Sequence, residues 1–185
     1  MVPGPAATAP TACLLLTTCS TLRVPTVHLE TFIAAPIDRC FDLMRDVGAH
    51  TLSTSKTRER AVAGKTSGLL GAGDEVTWEA VHFGVKQRLT ARVTRCEAPH
   101  LLEDEIVRGA FKTFTHRHTF HEQPGGTIMV DDFDYASPLG VLGLLADKLF
   151  LERYMRAFLL ERAQDLKQMA EAEPKIGRAS CRERV

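Results

Sequence analysis

The chain has 185 residues, of which 23 are lysine or arginine and 23 are aspartate or glutamate, so its formal net charge is zero. This length fits one domain, which buries roughly 70% of the surface that its unfolded chain would expose. The sequence contains no basic stripe with interleaved aromatic residues, which argues against nucleic acid as a partner. We therefore expect a hydrophobic small molecule or another protein, with a homodimer as one hypothesis.

The first 25 residues are rich in proline, alanine and threonine, and their longest leucine run is Leu14 to Leu16. That run is too short to span a membrane, and no lysine or arginine precedes Arg23 to form the basic start of a signal peptide. We predict that residues 1–25 are a disordered extension or a wrongly assigned start. Without the two chain ends only Cys40 and Cys96 remain, which predicts no disulfide framework and favours the cytoplasm.

Alternating apolar and polar residues over 26–33 predict a first strand. Pro36 then opens a helix, because a proline in the first turn loses no hydrogen bond. We expect Gly48 to end this helix, a short polar helix or turn over 50–55, and a second strand over 59–63. The apolar residues of the first helix recur on one face at three- and four-residue spacing: Ile37, Cys40, Phe41 and Met44.

Five further strands are predicted between turn signals, without a helical period among them, which favours an antiparallel meander. They lie near 75–83, 85–96, 101–108, 112–121 and 127–135. After Pro138 the apolar spacing becomes helical and continues to Ala172, long enough to cross the sheet. Gly140 and Gly143 predict a kink or a separate short helix at its start.

Side chains alternate across a strand, so the apolar phase predicts which residues face the helix. The predicted inward sets are Val76, Trp78, Ala80 and His82; Val85, Gln87, Leu89, Ala91 and Val93; Leu102, Asp104, Ile106 and Arg108; Phe114, His116, His118 and Phe120; and Met129, Asp131, Phe133 and Tyr135. The polar side chains between 86 and 94 then face water.

Two tight turns set the register of these strands. A turn at Pro124-Gly125 places His118 opposite Asp131, and a turn near Gly109-Ala110 places Asp104 opposite His116. Two histidine–carboxylate pairs are therefore expected on the concave face. They either form core hydrogen bonds that fix the strand register or anchor the polar head of a ligand.

The last ten residues, 176–185, follow Pro174 and show neither apolar periodicity nor helix caps. They match, letter for letter, one translation of a common sequencing-library adapter. We predict that residues 174–185 are a non-native tail that contributes nothing to folding or binding. The alternative is a short basic tail that binds an acidic partner.

The segments 74–84 (DEVTWEAVHFG) and 138–155 (PLGVLGLLADKLFLERYM) resemble an uncharacterised bacterial ligand-binding subfamily of the SRPBCC superfamily, which has a START-like, Bet v 1-type fold. The resemblance covers about residues 26–173. It implies an α+β helix-grip fold: a curved antiparallel sheet of about seven strands wrapped on a long C-terminal helix, with two short helices after the first strand. The superfamily includes lipid carriers, hormone receptors and a few enzymes, so the fold alone does not decide the function.

Binding or carriage of a hydrophobic or amphipathic molecule, such as a lipid, a quinone or a polyketide-like compound, is our first hypothesis, without a cofactor or a metal. One alternative is a polyketide cyclase or dehydratase in which His116 or His118 is a general base held by Asp104 or Asp131. Another is a protein-interaction module that uses an exposed apolar patch of Phe150, Leu151 and Met155. The predicted ligand-binding residues are Trp78, His82, Leu89, Arg108, Phe114, His116, His118, Asp131, Phe133, Tyr135 and Leu149. For Trp78, ordinary core packing is the competing explanation.

Overall fold

The computed structural model describes residues 25–137 and 150–172. Neither segment contains a helix long and apolar enough to cross a membrane. The strands are β1 (Thr26–Ile33), β2 (Arg60–Gly64), β3 (Glu75–His82), β4 (Val85–Glu97), β5 (Leu101–Arg108), β6 (Thr113–Gln123) and β7 (Gly126–Ala136). The helices are α1 (Ile37–Arg45), α2 (Val47–Ser53) and α3 (Glu152–Glu171), with a single 3-10 turn at Ser55–Thr57. The predicted helix start over 138–149 lies outside the described residues.

The seven strands form one antiparallel sheet in the order β1-β7-β6-β5-β4-β3-β2. The strands from β2 to β7 follow one another as the predicted meander, and β1 pairs with β7 at the opposite edge. Helix α3 packs against β1, α1 and α2 and so lies across the curved sheet. This confirms the predicted helix-grip class.

The boundary between the first two helices differs from the prediction. Helix α1 ends at Arg45, and α2 begins at Val47 with Gly48 inside it. The reason is Asp46, whose extended backbone breaks α1 and whose side chain accepts a hydrogen bond of 2.8 Å from the Ala49 backbone N–H. An aspartate in this position is a strong N-cap, and here it outweighs the helix-ending tendency of glycine.

The hydrophobic core forms two clusters on the concave face. One joins α1 to the sheet, and its Phe41 and Phe120 rings meet edge to face at 5.7 Å. The other surrounds Phe133 and includes Met155 and Leu159 of α3. The four predicted core positions of α1 are all buried, as their helical spacing indicates.

The outer face of the sheet carries a charged cluster around Glu79. Arg60 Nη2 lies 2.7 Å from its carboxylate, Arg88 Nε lies 3.0 Å away and Lys86 Nζ 3.5 Å away. Hydrogen bonds from Arg60 and Arg88 lower the pKa of Glu79 from 4.5 to about 2. Cross-strand ion pairs of this kind link β2, β3 and β4.

Replacing Glu79 with glutamine is expected to lower the melting temperature at neutral pH and to flatten its decline in acid. The pKa of Glu79 is lower in the folded chain than in the unfolded one, so its stabilisation is present above about pH 4.5 and is lost as the pH falls toward about 2. Thermal unfolding across this range, with Glu97→Gln at the exposed Arg95 pair as control, measures the effect. Parallel pH profiles for wild type and Glu79→Gln would contradict it.

Candidate functional site

A cavity of about 710 Å³ lies between the concave face of the sheet and helix α3. Small-molecule sites typically enclose roughly 300–1,000 Å³ and combine apolar walls with a few polar groups. Aromatic and aliphatic side chains supply most of the wall, among them Trp78, Leu89, Phe114, Phe133, Phe158 and Leu159.

Most of the predicted ligand-binding residues line this cavity: Trp78, His82, Leu89, Phe114, His116, His118 and Phe133. Two more are buried behind the wall, where Asp131 holds His118 and the Tyr135 ring stacks on Phe133 at 5.5 Å. Leu149 lies outside the described residues.

The prediction that Arg108 faces the ligand is wrong, because its side chain is exposed and does not line the cavity. The register shifts between β4 and β5, where Thr90 pairs with Arg108 but Ala91 pairs with Ile106. The additional residue, Val107, forms a bulge that turns Arg108 to the outer face, since a one-residue shift exchanges the two faces of a strand. Val85, also predicted to face inward, is 58% exposed where β4 begins.

The predicted register of the two histidine–carboxylate pairs is confirmed, since His118 pairs with Asp131 and His116 with Asp104. His118 Nδ1 forms a short hydrogen bond with Asp131 Oδ1 in the buried sheet. The second pair differs: His116 Nε2 lies 3.8 Å from Asp131 and makes no hydrogen bond among the described residues. One carboxylate, Asp131, is therefore near both histidines.

Burial changes the proton affinities of this cluster. It lowers the pKa of His116 well below 6.5, and electrostatic interactions with His118 and Arg162 lower it further. It raises the pKa of Asp104 to about 6, although electrostatic interactions with His118 and Arg162 oppose the rise. In both residues the low-dielectric cavity favours the neutral form.

Another polar pair, which the sequence pattern does not indicate, lies beside Trp78. The His50 ring stacks on the Trp78 ring at 3.8 Å, and His50 Nε2 lies 3.2 Å from Glu59 Oε2. Burial lowers the pKa of His50. One face of Trp78 is thus covered by protein, which gives the ring a packing role as well as a place in the cavity wall.

Arg162 brings a permanent positive charge from α3 to the cavity wall. The residue is only 7% exposed, and its Nη2 donates to Met44 Sδ at 3.2 Å. Its Nε has no hydrogen-bond partner among the described residues. None of their carboxylate oxygens lies within 4.0 Å of a guanidinium nitrogen, so Arg162 forms no ion pair with them. Among the residues that the structure describes, the guanidinium is therefore buried without a close counterion.

The exposed end of the cavity is aromatic. Phe83 is 58% exposed and Phe150 is 50% exposed, and their rings meet edge to face at 5.7 Å. Behind them the Tyr154 hydroxyl hydrogen-bonds with His82 Nδ1 at 2.6 Å. We call Phe83, Phe150 and Tyr154 the aromatic mouth. Met155, predicted to lie in an exposed patch, is 8% exposed and lines the cavity instead, because α3 turns it toward the sheet.

Phe83 has a positive φ of 53° and Gly84 a φ of 75° in the two-residue turn between β3 and β4. Both central residues of a type I′ hairpin need this backbone region, which suits asparagine or glycine and strains a bulky side chain. Such strain is more common at functional sites than elsewhere. The turn therefore places an exposed phenylalanine at the aromatic mouth despite a conformational cost.

Phe83→Asn is expected to relieve about 1 kcal/mol of backbone strain while weakening the binding of a hydrophobic probe. The melting temperature should stay constant or rise even though an aromatic ring is lost. Val85→Asn is the matched control, since Val85 is equally exposed but does not line the cavity. A lower melting temperature with unchanged probe affinity in Phe83→Asn would contradict this role.

The family model described as polyketide cyclase / dehydrase and lipid transport matches residues 33–162. The chain belongs to this family. No functionally curated protein matches the sequence. The matched residues include every strand from β2 to β7 and end at Arg162.

Several solved structures share the fold of this chain. TTHA0849 from Thermus thermophilus is 22% identical with a TM-score of 0.66, over 79% of this chain and 97% of that chain. A Chromobacterium violaceum protein is 14% identical with a TM-score of 0.63, over 80% and 97%. Major latex-like protein 151 of Panax ginseng is 15% identical with a TM-score of 0.59, over 78% and 96%. At these identities the similarity establishes the fold alone.

Three side chains of this family member are close enough to share a cation. The ligand atoms of Asp104, His116 and His118 lie within 4.8 Å of one another. A bound metal would also benefit from Asp131, which orients His118 as a supporting carboxylate. Arg162 opposes this, because its positive charge acts on both Asp104 and His116. The cluster thus contains residues of the kinds that bind metals, but the nearby positive charge of Arg162 disfavours a metal ion there.

Sequence reasoning did not identify His50, Glu59 or Arg162 as cavity residues. Arg162 does leave a signal, because it lies between Leu159 and Leu166 on the apolar stripe of α3, where a charged residue is unexpected. His50 and Glu59 leave none, since His50 lies in the short helix α2 and Glu59 in the loop just before β2, where no apolar period can be recognised.

Proposed function

We propose that this domain binds and carries an amphipathic small molecule inside the cavity. The supporting observation is a cavity of about 710 Å³ whose exposed end is aromatic and whose buried end is polar. Phe83 and Phe150 at the mouth are about half exposed, whereas His118 is 1% exposed. A molecule with a hydrocarbon body and one polar head matches this gradient. A lipid, a quinone and a polyketide-like compound all have this form.

Native mass spectrometry of the purified domain, before and after organic extraction, tests the proposal directly. A lipid-like mass that co-purifies and disappears on extraction is expected. Displacement of the neutral dye N-phenyl-1-naphthylamine by candidate ligands gives an independent reading. Absence of any bound mass, together with a dye that is neither bound nor displaced, would refute the carrier function.

A second candidate is a ring-closing enzyme of the polyketide cyclase type. His118 lines the cavity while Asp131 holds its Nδ1, the arrangement in which a carboxylate orients a histidine to act as a base. In an aldol-type closure this base would remove a proton next to a carbonyl group of the substrate. A His118 variant that folds and binds ligand normally but loses only a ring-closing activity would favour the enzyme over the carrier.

A further inference from the structure

The positive charge of Arg162 has no close counterion among the described residues. A guanidinium cannot lose its proton in a protein, so burial leaves the full charge in place. Burying an ion without a paired charge is strongly unfavourable. The sulfur of Met44, the described acceptor for Arg162, is only a weak acceptor.

The nearby carboxylates do not supply that partner. Glu59 lies against His50, and Asp131 is bound to His118 behind the cavity wall. Asp104 lines the cavity but forms no ion pair with Arg162. Glu59 and Asp104 interact with Arg162 through the low-dielectric interior, without the close, bidentate contact that a guanidinium makes with an oxyanion.

His116 provides a second, independent observation. Its Nε2 is buried and has no hydrogen-bond partner among the described residues, although the ring lines the same cavity. Buried polar atoms are nearly always satisfied, so an unpaired one on a residue that lines a cavity indicates a group that binds there. A neutral imidazole with its proton on Nε2 would donate a hydrogen bond to an oxygen atom.

We propose that Arg162 and His116 form a subsite for the carboxylate of an acidic amphipathic ligand, whose hydrocarbon part extends along Trp78 and Phe133 toward the aromatic mouth. This inference rests on the proposed carrier function and adds the chemical class of the ligand head. The positive charge of Arg162 beside Asp104, His116 and His118 also favours a bound anion over a bound metal ion.

The test compares three probes with one hydrocarbon chain: decanoic acid, methyl decanoate and decan-1-ol, each measured by displacement of N-phenyl-1-naphthylamine. The wild-type protein is expected to prefer the ionised acid to the ester by about 10- to 100-fold, the effect of one charge-assisted hydrogen-bond pair. Arg162→Gln should lose this preference and keep its affinity for the ester. Arg162→Lys, which retains the charge without the planar fork, should keep part of the preference.

Arg153→Gln is the matched control, because Arg153 is exposed on the same helix and does not line the cavity. It should retain the wild-type preference. Equal affinity of the wild type for acid and ester overturns the subsite and leaves the carrier function intact, and so does a folded Arg162→Gln protein that still prefers the acid. If the wild type binds none of the three probes, the carrier function fails and the subsite with it. The wild-type comparison is decisive even if Arg162→Gln does not fold.

Discussion

Replacing His118 with phenylalanine is expected to lower the free energy of unfolding by about 1–3 kcal/mol. His118 is 1% exposed and Asp131 is 4% exposed, so their hydrogen bond lies in the interior. Phenylalanine keeps the bulk of the ring but leaves the Asp131 carboxylate buried without its donor. His116 Nε2, 3.8 Å from the same oxygen, replaces that donor only if its ring moves. Urea unfolding of the two proteins at neutral pH measures the loss.

The next residue along β7 provides the matched control. Asp132 faces the outer surface, where its carboxylate lies 2.6 Å from His28 Nδ1 and both side chains are partly exposed. Exposed pairs of this kind contribute about 0.2–1 kcal/mol, so Asp132→Asn should have a small effect. Asp131→Asn should cost clearly more. Equal losses in the two asparagine variants would show that burial of the His118 pair does not determine its contribution.

Residue alternation and turn positions were sufficient to predict the inner face of most strands. Phe114, His116, His118 and Phe120 are all buried on β6, as their spacing indicates. The long β6–β7 hairpin pairs without a shift over its whole length, so one turn determines the partner of every residue. Regular pairing of this kind is the condition under which a sequence pattern can be projected onto a sheet.

The sequence-based prediction failed where local backbone geometry interrupts the regular spacing of inward-facing residues. The bulge at Val107 reverses the expected face of Arg108, and a bulge is not visible in the alternation of a single strand. At Asp46 one side-chain hydrogen bond sets the boundary between the two predicted short elements before Gly48, so that Gly48 lies inside the second helix. Both errors arise from single residues whose effect depends on a partner elsewhere in the fold.

The buried end of the cavity was only half predictable for a related reason. His116 and His118 belong to a regular strand, so their position follows from the period. Arg162, His50 and Glu59 come from other elements, and only the three-dimensional packing brings them to the same cavity. Apolar periodicity predicts which face of an element is buried, but it does not predict which polar residues of different elements meet there.

Ala80→Phe is expected to weaken binding of N-phenyl-1-naphthylamine at least about tenfold while changing stability by less than about 1 kcal/mol. Ala80 is 5% exposed and lines the cavity, yet it belongs to neither packed core cluster of the described residues. A phenylalanine ring there enters space that is otherwise open to the ligand. The substitution therefore removes binding volume without forcing apart packed side chains.

Ala163→Phe separates this effect from overpacking. Ala163 is 2% exposed and belongs to the packed cluster that includes Leu166, so a larger side chain there has no space. It should cost about 1–3 kcal/mol, which thermal or urea unfolding measures. Ala80→Phe should show the opposite combination, a nearly normal unfolding free energy with poor dye binding. If Ala80→Phe instead binds the dye as the wild type does, the ligand does not occupy the space beside β3, and the binding site must lie elsewhere on the domain.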